Sequence, residues 1–107
     1  MGRVIEIKKN MIPYRFEIVL CSELFSFLVD YNAVSDSFSV DLYKDQELIV
    51  SGEQLVYGSP LFADFSDTRL PSVDLIPCDE ANNETVVTWS NLSESVFLFV
   101  VEKDGAL

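Results

Sequence analysis

The sequence contains no histidine and is poor in basic residues, cysteine, glycine and proline. Without histidine, the chain lacks both the commonest general base and the commonest metal ligand of proteins. Seven Lys and Arg against 18 Asp and Glu give a formal net charge of −11, which repels nucleic-acid phosphate and anionic membrane surfaces. The composition therefore argues against nucleic-acid binding and against most acid–base catalysis.

Long apolar runs are also missing. The longest begins at Val96 and stops at Glu102, whereas a membrane-spanning helix needs about 20 apolar residues and a signal peptide about 7–15. We therefore expect synthesis in a cytoplasm, no secretion by a signal peptide and no membrane insertion. Cys21 and Cys78 form no CxxC pair, and we interpret them as free, half-buried thiols.

Apolar residues, by contrast, are abundant. They make up 49% of the 107 residues, and 12% of the chain is aromatic, which is enough to bury a core and disfavours disorder. The length fits one compact domain, since domains most often have about 100–150 residues. We therefore predict a single domain over residues 1–107.

Alternation of apolar and polar residues dominates the chain and predicts strands with one packed face. Residues 37–51 read as a hairpin around the polar turn Lys44-Asp45-Gln46. Further strands are predicted over residues 3–8, 15–20, 25–31, 53–57, 73–76, 85–89 and 96–101, the last with both sides covered. The predicted fold class is all-β: one small β-sandwich or partly open β-barrel of about six to eight short, mainly antiparallel strands.

The segment from Gly58 to Asn83 gives a weaker signal because Pro60, Pro71 and Pro77 interrupt it. We expect an irregular loop there, holding the short strand at 73–76 and at most one helical turn within residues 59–67. Whether residues 59–83 are ordered in the isolated chain stays open at this point.

No arrangement of side chains predicts catalysis. The tightest acidic pair, Asp79-Glu80, is interpreted as solvated surface charge, because 18 acidic residues make some such pair almost inevitable. Gly52 and Gly58 lack the spacing and the following Lys of a phosphate-binding loop. We therefore expect no catalytic, cofactor-binding or metal site and no enzymatic activity.

The charges are unevenly distributed. Residues 1–15 hold four of the seven basic residues and one acid, a net charge of +3, which leaves −14 on the other 92 residues. The basic residues, Arg3, Lys8, Lys9 and Arg15, are candidate partner contacts. Two interpretations stay open: residues 1–11 are an edge strand whose lysines deter aggregation, or a basic arm that pairs with an acidic neighbour.

One set of motifs resembles a known family. The series Ile12-Pro13, Tyr31-Asn32, Phe38, Asp41-Leu42-Tyr43, Leu48, Gly52, Leu55 and Gly58 is similar to the baseplate plug family of contractile-tailed bacteriophages. The resemblance covers residues 12–101, which would form a plug-like body followed by a tail at 102–107. It implies that Tyr31 and Asn32 end a strand, that Phe38 and Leu42 belong to the hairpin with Asp41 on its polar face, and that Gly52 and Gly58 allow bends.

The resemblance also implies a function. Such proteins are non-enzymatic structural components of the phage baseplate, packed between hub and spike proteins, that help to close the end of the tail tube. The chain would be made in the host cytoplasm and become part of the virion, and by analogy with a trimeric hub it would form a trimer. Two alternatives stay open: a small acidic β-sandwich that binds protein or carbohydrate, and a small hydrolase with paired carboxylates.

Overall fold

The computed structural model describes residues 3–65 and 68–102. Seven strands account for most of the regular structure in these residues, with one short 3₁₀ turn at Lys9–Met11. The strands are β1 (Val4–Ile5), β2 (Tyr14–Leu20), β3 (Glu23–Asn32), β4 (Ser37–Lys44), β5 (Glu47–Gln54), β6 (Val73–Cys78) and β7 (Phe97–Glu102). No helix in the described part of the chain is long and apolar enough to span a membrane.

The larger sheet is an antiparallel meander of four strands in the order β2-β3-β4-β5. Its strands form because apolar residues recur at every second position. Phe25, Phe27 and Val29 of β3, for example, are buried, while Ser26 and Leu28 between them are half-exposed. The predicted hairpin at residues 37–51 is confirmed as β4 and β5, paired through Lys44↔Glu47.

The smaller sheet has three antiparallel strands in the order β1-β7-β6. The two-residue strand β1 is one edge of this sheet, and β6 is the other. Pro77 lies within β6, on an edge strand, where a missing N–H is tolerated. The predicted strands at 73–76 and 96–101 are thus present: the first extends by two residues to Cys78, and the second is shifted by one residue to Phe97–Glu102.

Side chains from both sheets meet in one core, so of the two predicted forms the chain adopts the sandwich. Phe27, Val40 and Leu42 of the larger sheet are completely buried, and Leu75 and Leu98 of the smaller sheet join the same cluster. Phe27 packs edge-on against Phe62, whose ring centroid lies 6.4 Å away. The irregular segment after β5 therefore closes one side of the core.

The predicted strand at 85–89 is wrong, because these residues belong to neither sheet. The buried Asn91 accepts a hydrogen bond from Thr88 N–H at 2.9 Å and donates one to the Val86 carbonyl at 2.9 Å. A local amide side chain thus satisfies backbone groups that a neighbouring strand would otherwise pair. This local hydrogen bonding outweighs the β propensity of Thr85-Val86-Val87-Thr88.

Two other predicted strands need corrected boundaries. Residues 53–57 form no separate strand: β5 runs on to Gln54 and the chain then leaves the sheet. Residues 3–8 form a strand only at Val4–Ile5, although Ile7 is also buried. Within 59–65 the structure has turns and no helix, while residues 66 and 67 of the predicted helical turn lie outside the described residues.

Two predictions about polar side chains also change. Asp79 is not solvated: it is only 7% exposed, whereas its neighbour Glu80 is exposed as predicted. Both cysteines are free thiols, but Cys21 is exposed rather than half-buried because it lies in the turn between β2 and β3. The predicted tail at 102–107 lies, apart from Glu102, outside the described residues.

Candidate partner interface

The turn between β3 and β4 is held by a network of side-chain hydrogen bonds. Asn32, the last residue of β3, accepts hydrogen bonds from Val34 N–H at 2.9 Å and Ser35 N–H at 3.3 Å. Asp36 accepts one from the Tyr31 hydroxyl at 2.6 Å and one from Trp89 N–H at 2.9 Å. The turn thereby presents Val34, which is 98% exposed, on a well-braced loop.

Aromatic rings pack beneath this turn. The ring centroid of Tyr31 lies 4.8 Å from those of both Phe38 and Trp89. The rings of Phe38 and Trp89 stack with their centroids 6.0 Å apart and an interplanar angle of 10°. The Lys9 ammonium lies over the Trp89 ring at 5.4 Å and donates a hydrogen bond to the Trp89 carbonyl. The cluster joins the irregular segment 85–89 to the four-stranded sheet and to the N-terminal segment.

Asp41 and Gly52, two residues of the motif series, meet at a bulge between β4 and β5. The Asp41 carboxylate accepts a hydrogen bond from Gly52 N–H at 2.7 Å, and the strand register shifts at this point. Gly52 has φ +73°, a left-handed conformation that suits glycine. Leu42, the next residue after Asp41, is completely buried on the core face.

Asp79 organises the segment that follows β6. Its carboxylate accepts hydrogen bonds from the Tyr57 hydroxyl, from Asn83 N–H at 2.8 Å and from Glu84 N–H at 3.2 Å. Next to Tyr57, Gly58 has φ +78° and donates its N–H to the Pro77 carbonyl at 2.7 Å. These contacts tie the chain after β5 to the edge of the three-stranded sheet.

Hydrogen bonding shifts the titration of both carboxylate–tyrosine pairs. The Tyr31 hydroxyl and the Trp89 N–H stabilise ionised Asp36 and lower its pKa. Asp79 has a lowered pKa, first because of the Tyr57 hydroxyl. The same hydrogen bonds raise the pKa of both Tyr31 and Tyr57. Both carboxylates brace loops: Asp36 accepts through Oδ1 from Tyr31 and Trp89. Asp79 accepts through Oδ1 from the Tyr57 hydroxyl and through Oδ2 from the N–H groups of the loop that follows it.

The four basic candidates do not form one patch. Arg3 and Lys8 are exposed, and Lys9 is half-buried against Trp89. Arg15 stands on the outer face of the four-stranded sheet with its guanidinium 4.1 Å from the centre of the Tyr43 ring. The first three belong to the N-terminal segment, which is anchored by the buried Ile5 and Ile7 and by the hydrogen bond from the Ser93 hydroxyl to the Ile7 carbonyl at 2.6 Å.

Sequence reasoning assigned no loop-bracing role to four residues that hold these loops: Asp36, Asp79, Trp89 and Asn91. Their partners are distant in sequence or depend on loop geometry, as in the contact between Asp36 and Trp89. One signal was available: Asn32 precedes Val34 and Ser35 at the spacing of an Asx turn. That signal concerns only the β3–β4 turn, and the four residues themselves carry no comparable local pattern.

Comparison with known proteins adds one match. A family model described as cyanophage baseplate Pam3 plug gp18 matches residues 3–103. The match includes every strand of the structure, from β1 to β7. The comparison with curated proteins gave no match.

Proposed function

The chain belongs to the phage baseplate plug family, and from this membership we propose that it packs between hub and spike proteins and helps to close the end of the tail tube. The coarser role follows from the family itself: a structural baseplate protein of the virion tail that interacts with other baseplate components. The match over residues 3–103 is the observation that carries the proposal. The proposed route is synthesis in the host cytoplasm, followed by incorporation into the tail.

The two outer faces of the sandwich support a position between two partners. The outer face of the four-stranded sheet carries Val19 and Leu24, which lie opposite each other and are each 51% exposed. The outer face of the three-stranded sheet carries Val4 and Phe97. A sandwich with apolar side chains on opposite outer faces is suited to contact one neighbour through each face.

The motif residues support the proposal by bracing loops. Tyr31 and Asn32 fix the turn that presents Val34, and Asp41 with Gly52 fixes the bulge of β5. Phe38 and Leu42 are buried and would act through packing. We propose that these residues shape the contact surfaces of the plug and that none of them acts in catalysis.

We propose different roles for the basic candidates. Arg3 and Lys8 are exposed and would contact acidic groups of a partner. Lys9 and Arg15 are engaged with Trp89 and Tyr43, so they would mainly stabilise the fold. The carbohydrate-binding alternative is not favoured, because Lys9 and Phe38 pack against the Trp89 ring that would otherwise stack on a sugar.

Mixing the full chain with purified hub and spike proteins, followed by size-exclusion chromatography, tests the proposal. We expect co-elution with both proteins, and light scattering of the complex reports whether three copies are present. Leu24→Glu should weaken one of the two contacts, while Ser51→Glu, an exposed polar position of the same sheet, should not. A chain that stays alone in the presence of both proteins contradicts the proposed function.

A further inference from the structure

The outer face of the three-stranded sheet holds an apolar groove. Along β7, Leu98 and Val100 point into the core, so alternation places Phe97 and Phe99 on the opposite face. Together with Val4 of β1 they form the floor of a groove of about 480 Å³. Val4 is 42% exposed, whereas its neighbour Ile5 is buried in the core.

Carboxylates surround this floor. Glu80, Glu84 and Glu94 line the groove, and no lysine or arginine among the described residues lines it with them. Glu84 is held in place by hydrogen bonds from the Asn91 amide at 3.2 Å and the Ser95 hydroxyl at 3.0 Å. The groove therefore joins an apolar floor to an acidic rim that no cation of the described chain neutralises.

The groove also borders the outer edge of β1. Val100 N–H donates to the Arg3 carbonyl at 2.8 Å, which makes Arg3 and Val100 a hydrogen-bonded pair. In an antiparallel ladder the bonded pairs alternate, so the N–H and C=O of Val4 point away from β7. None of residues 3–65 and 68–102 forms a strand on this outer edge, so within the described chain it is open for a further strand.

The opposite edge of the same sheet is already covered. Gly58 N–H donates to the Pro77 carbonyl at 2.7 Å, and Leu61 N–H donates to the Leu75 carbonyl at 2.9 Å. The segment that contains Gly58 and Leu61 thus donates hydrogen bonds to the β6 carbonyls that point away from β7. Strand addition to this sheet therefore belongs at β1.

We propose that this groove binds a basic, extended segment of another baseplate protein, which adds to the sheet beside β1. Alternate side chains of such a segment point to opposite faces. Its apolar side chains would cover Phe97 and Val4, while its Lys or Arg residues would reach Glu80 and Glu94. The proposal rests on the proposed function for the kind of partner, and it adds the site and the chemistry of the contact.

The acidic rim of the groove favours a basic segment over a second copy of this chain. A second copy of this chain that added its own β1 would bring a +3 N-terminal segment, but also the attached body of −14, which meets the acidic rim with like charge. A basic segment instead gains from the acidic rim, and its binding weakens as the ionic strength rises. Strand addition supplies backbone hydrogen bonds, and the groove selects the side chains.

Fluorescence anisotropy with two labelled peptides tests the proposal on the full chain. One peptide alternates Lys with Val over about nine residues, and the other carries Glu in place of Lys. We expect the Lys–Val peptide to bind in a salt-dependent manner and the Glu–Val peptide not to bind. Glu94→Lys should weaken binding by about tenfold, whereas Glu17→Lys, the same change of charge on the other sheet, should leave it nearly unchanged.

Val4→Pro separates strand addition from simple charge attraction. It removes an N–H that points away from β7, so the ladder within the chain is kept while the open edge loses its donor. We expect weaker peptide binding in this variant. Hydrogen exchange of unaltered protein gives the same information without a substitution, because the Val4 amide should become protected when the peptide binds.

Three results would overturn the proposal. They are equal binding to the Glu94→Lys and Glu17→Lys variants, an unprotected Val4 amide in the peptide complex, and a dimer formed through β1 that the peptide does not displace. Failure of the proposed function is distinguishable from these results. In that case the hub and spike proteins do not co-elute with the chain, whereas the peptide experiment still reports on the groove.

Discussion

Asp36 and Asp79 are carboxylates that hold loops together, and neither forms a salt bridge with a basic side chain of the described residues. Each accepts a hydrogen bond from a tyrosine hydroxyl and from backbone N–H groups. Asp36 joins Tyr31 of β3 to Trp89, a contact that spans 53 positions of the chain. At the scale of single residues, carboxylate oxygens thus accept hydrogen bonds from backbone N–H groups that have no neighbouring strand to pair with.

The two carboxylate–tyrosine pairs make the stability of the fold depend on pH in both the acid and the alkaline range. A lowered pKa of Asp36 means that it stabilises the fold above its ordinary pKa of about 3.9, and that this contribution is lost as the pH falls through the folded-state pKa. A raised pKa of Tyr31 has the opposite sense, so its contribution is lost as the pH rises through the folded-state value.

We predict that in Asp36→Asn the free energy of unfolding falls less steeply as the pH is lowered. The variant keeps the shape of the side chain but removes its ionised form, so it should be less stable than unaltered protein near pH 7 and closer to it near pH 3. Urea denaturation across this range measures the effect, with Tyr31→Phe as the matched partner variant. If the variant loses as much unfolding free energy between pH 7 and pH 3 as the unaltered protein, this carboxylate does not contribute to the pH dependence of stability.

At the scale of elements, two hairpins use two-residue turns without glycine. Cys21 and Ser22 join β2 to β3 with φ of 53° and 67°, and Asp45 and Gln46 join β4 to β5 with φ of 53° and 66°. Two successive left-handed residues match the twist of the flanking strands, and glycine or asparagine is the usual choice there. The flanking strands therefore impose a conformation that these side chains disfavour.

We predict that Gln46→Gly stabilises the protein by about 0.5–1 kcal/mol, because the left-handed penalty removed exceeds the backbone entropy that glycine adds. The free energy of unfolding in urea measures this gain. Ala33→Gly is the matched control, since Ala33 lies in the turn after β3 and outside the left-handed region. We expect the control to be neutral or destabilising, and a destabilising Gln46→Gly would contradict the explanation.

At the scale of the whole molecule, one core joins two separate sheets. Phe27 lies at its centre, with no exposed surface, and its ring contacts Phe16 at 5.6 Å and Phe62 at 6.4 Å. The segment 85–89 connects to the four-stranded sheet through Trp89. The two sheets and the irregular segments should therefore unfold together.

We predict that Phe27→Ala destabilises the protein by about 3–5 kcal/mol, because it opens a cavity in the core. Trp89 is the single tryptophan, so its fluorescence reports on the loop cluster while circular dichroism reports on the sheets. Both signals should shift together to a lower urea midpoint. Val34→Ala is the control and should cost little, since Val34 is almost fully exposed; separate transitions for the two signals would contradict a single cooperative core.

Much of the fold could be predicted because alternation is a local signal. Phe25, Phe27 and Val29 share a face in any strand, so β3 and its burial follow from the order of residues. The strand at 85–89 could not be rejected in the same way. There, Asn91 binds the backbone of Thr88 and Val86, and nothing in the alternation of the segment shows that competition.

The candidate site could be predicted only in part, since a contact surface depends on where distant segments meet. The sequence motifs drew attention to Tyr31, Asn32, Asp41 and Gly52, which the structure places at the β3–β4 turn and the β5 bulge. The basic residues looked like one patch in sequence, yet Arg15 stands over Tyr43 on another sheet. Residues that are close in sequence can belong to strands of different sheets and therefore lie on different faces of the molecule.

The sequence by itself determined that this is an all-β chain with strong acidic charge and no histidine, because composition and alternation act within a few residues. Only the tertiary structure decided what its charges and apolar residues do. It buried Asp79, placed Lys9 over Trp89 and set Phe97 on the outer face of the three-stranded sheet, beside the edge at Val4. The physical reason is that contact surfaces form from residues far apart in the chain, which only packing brings together.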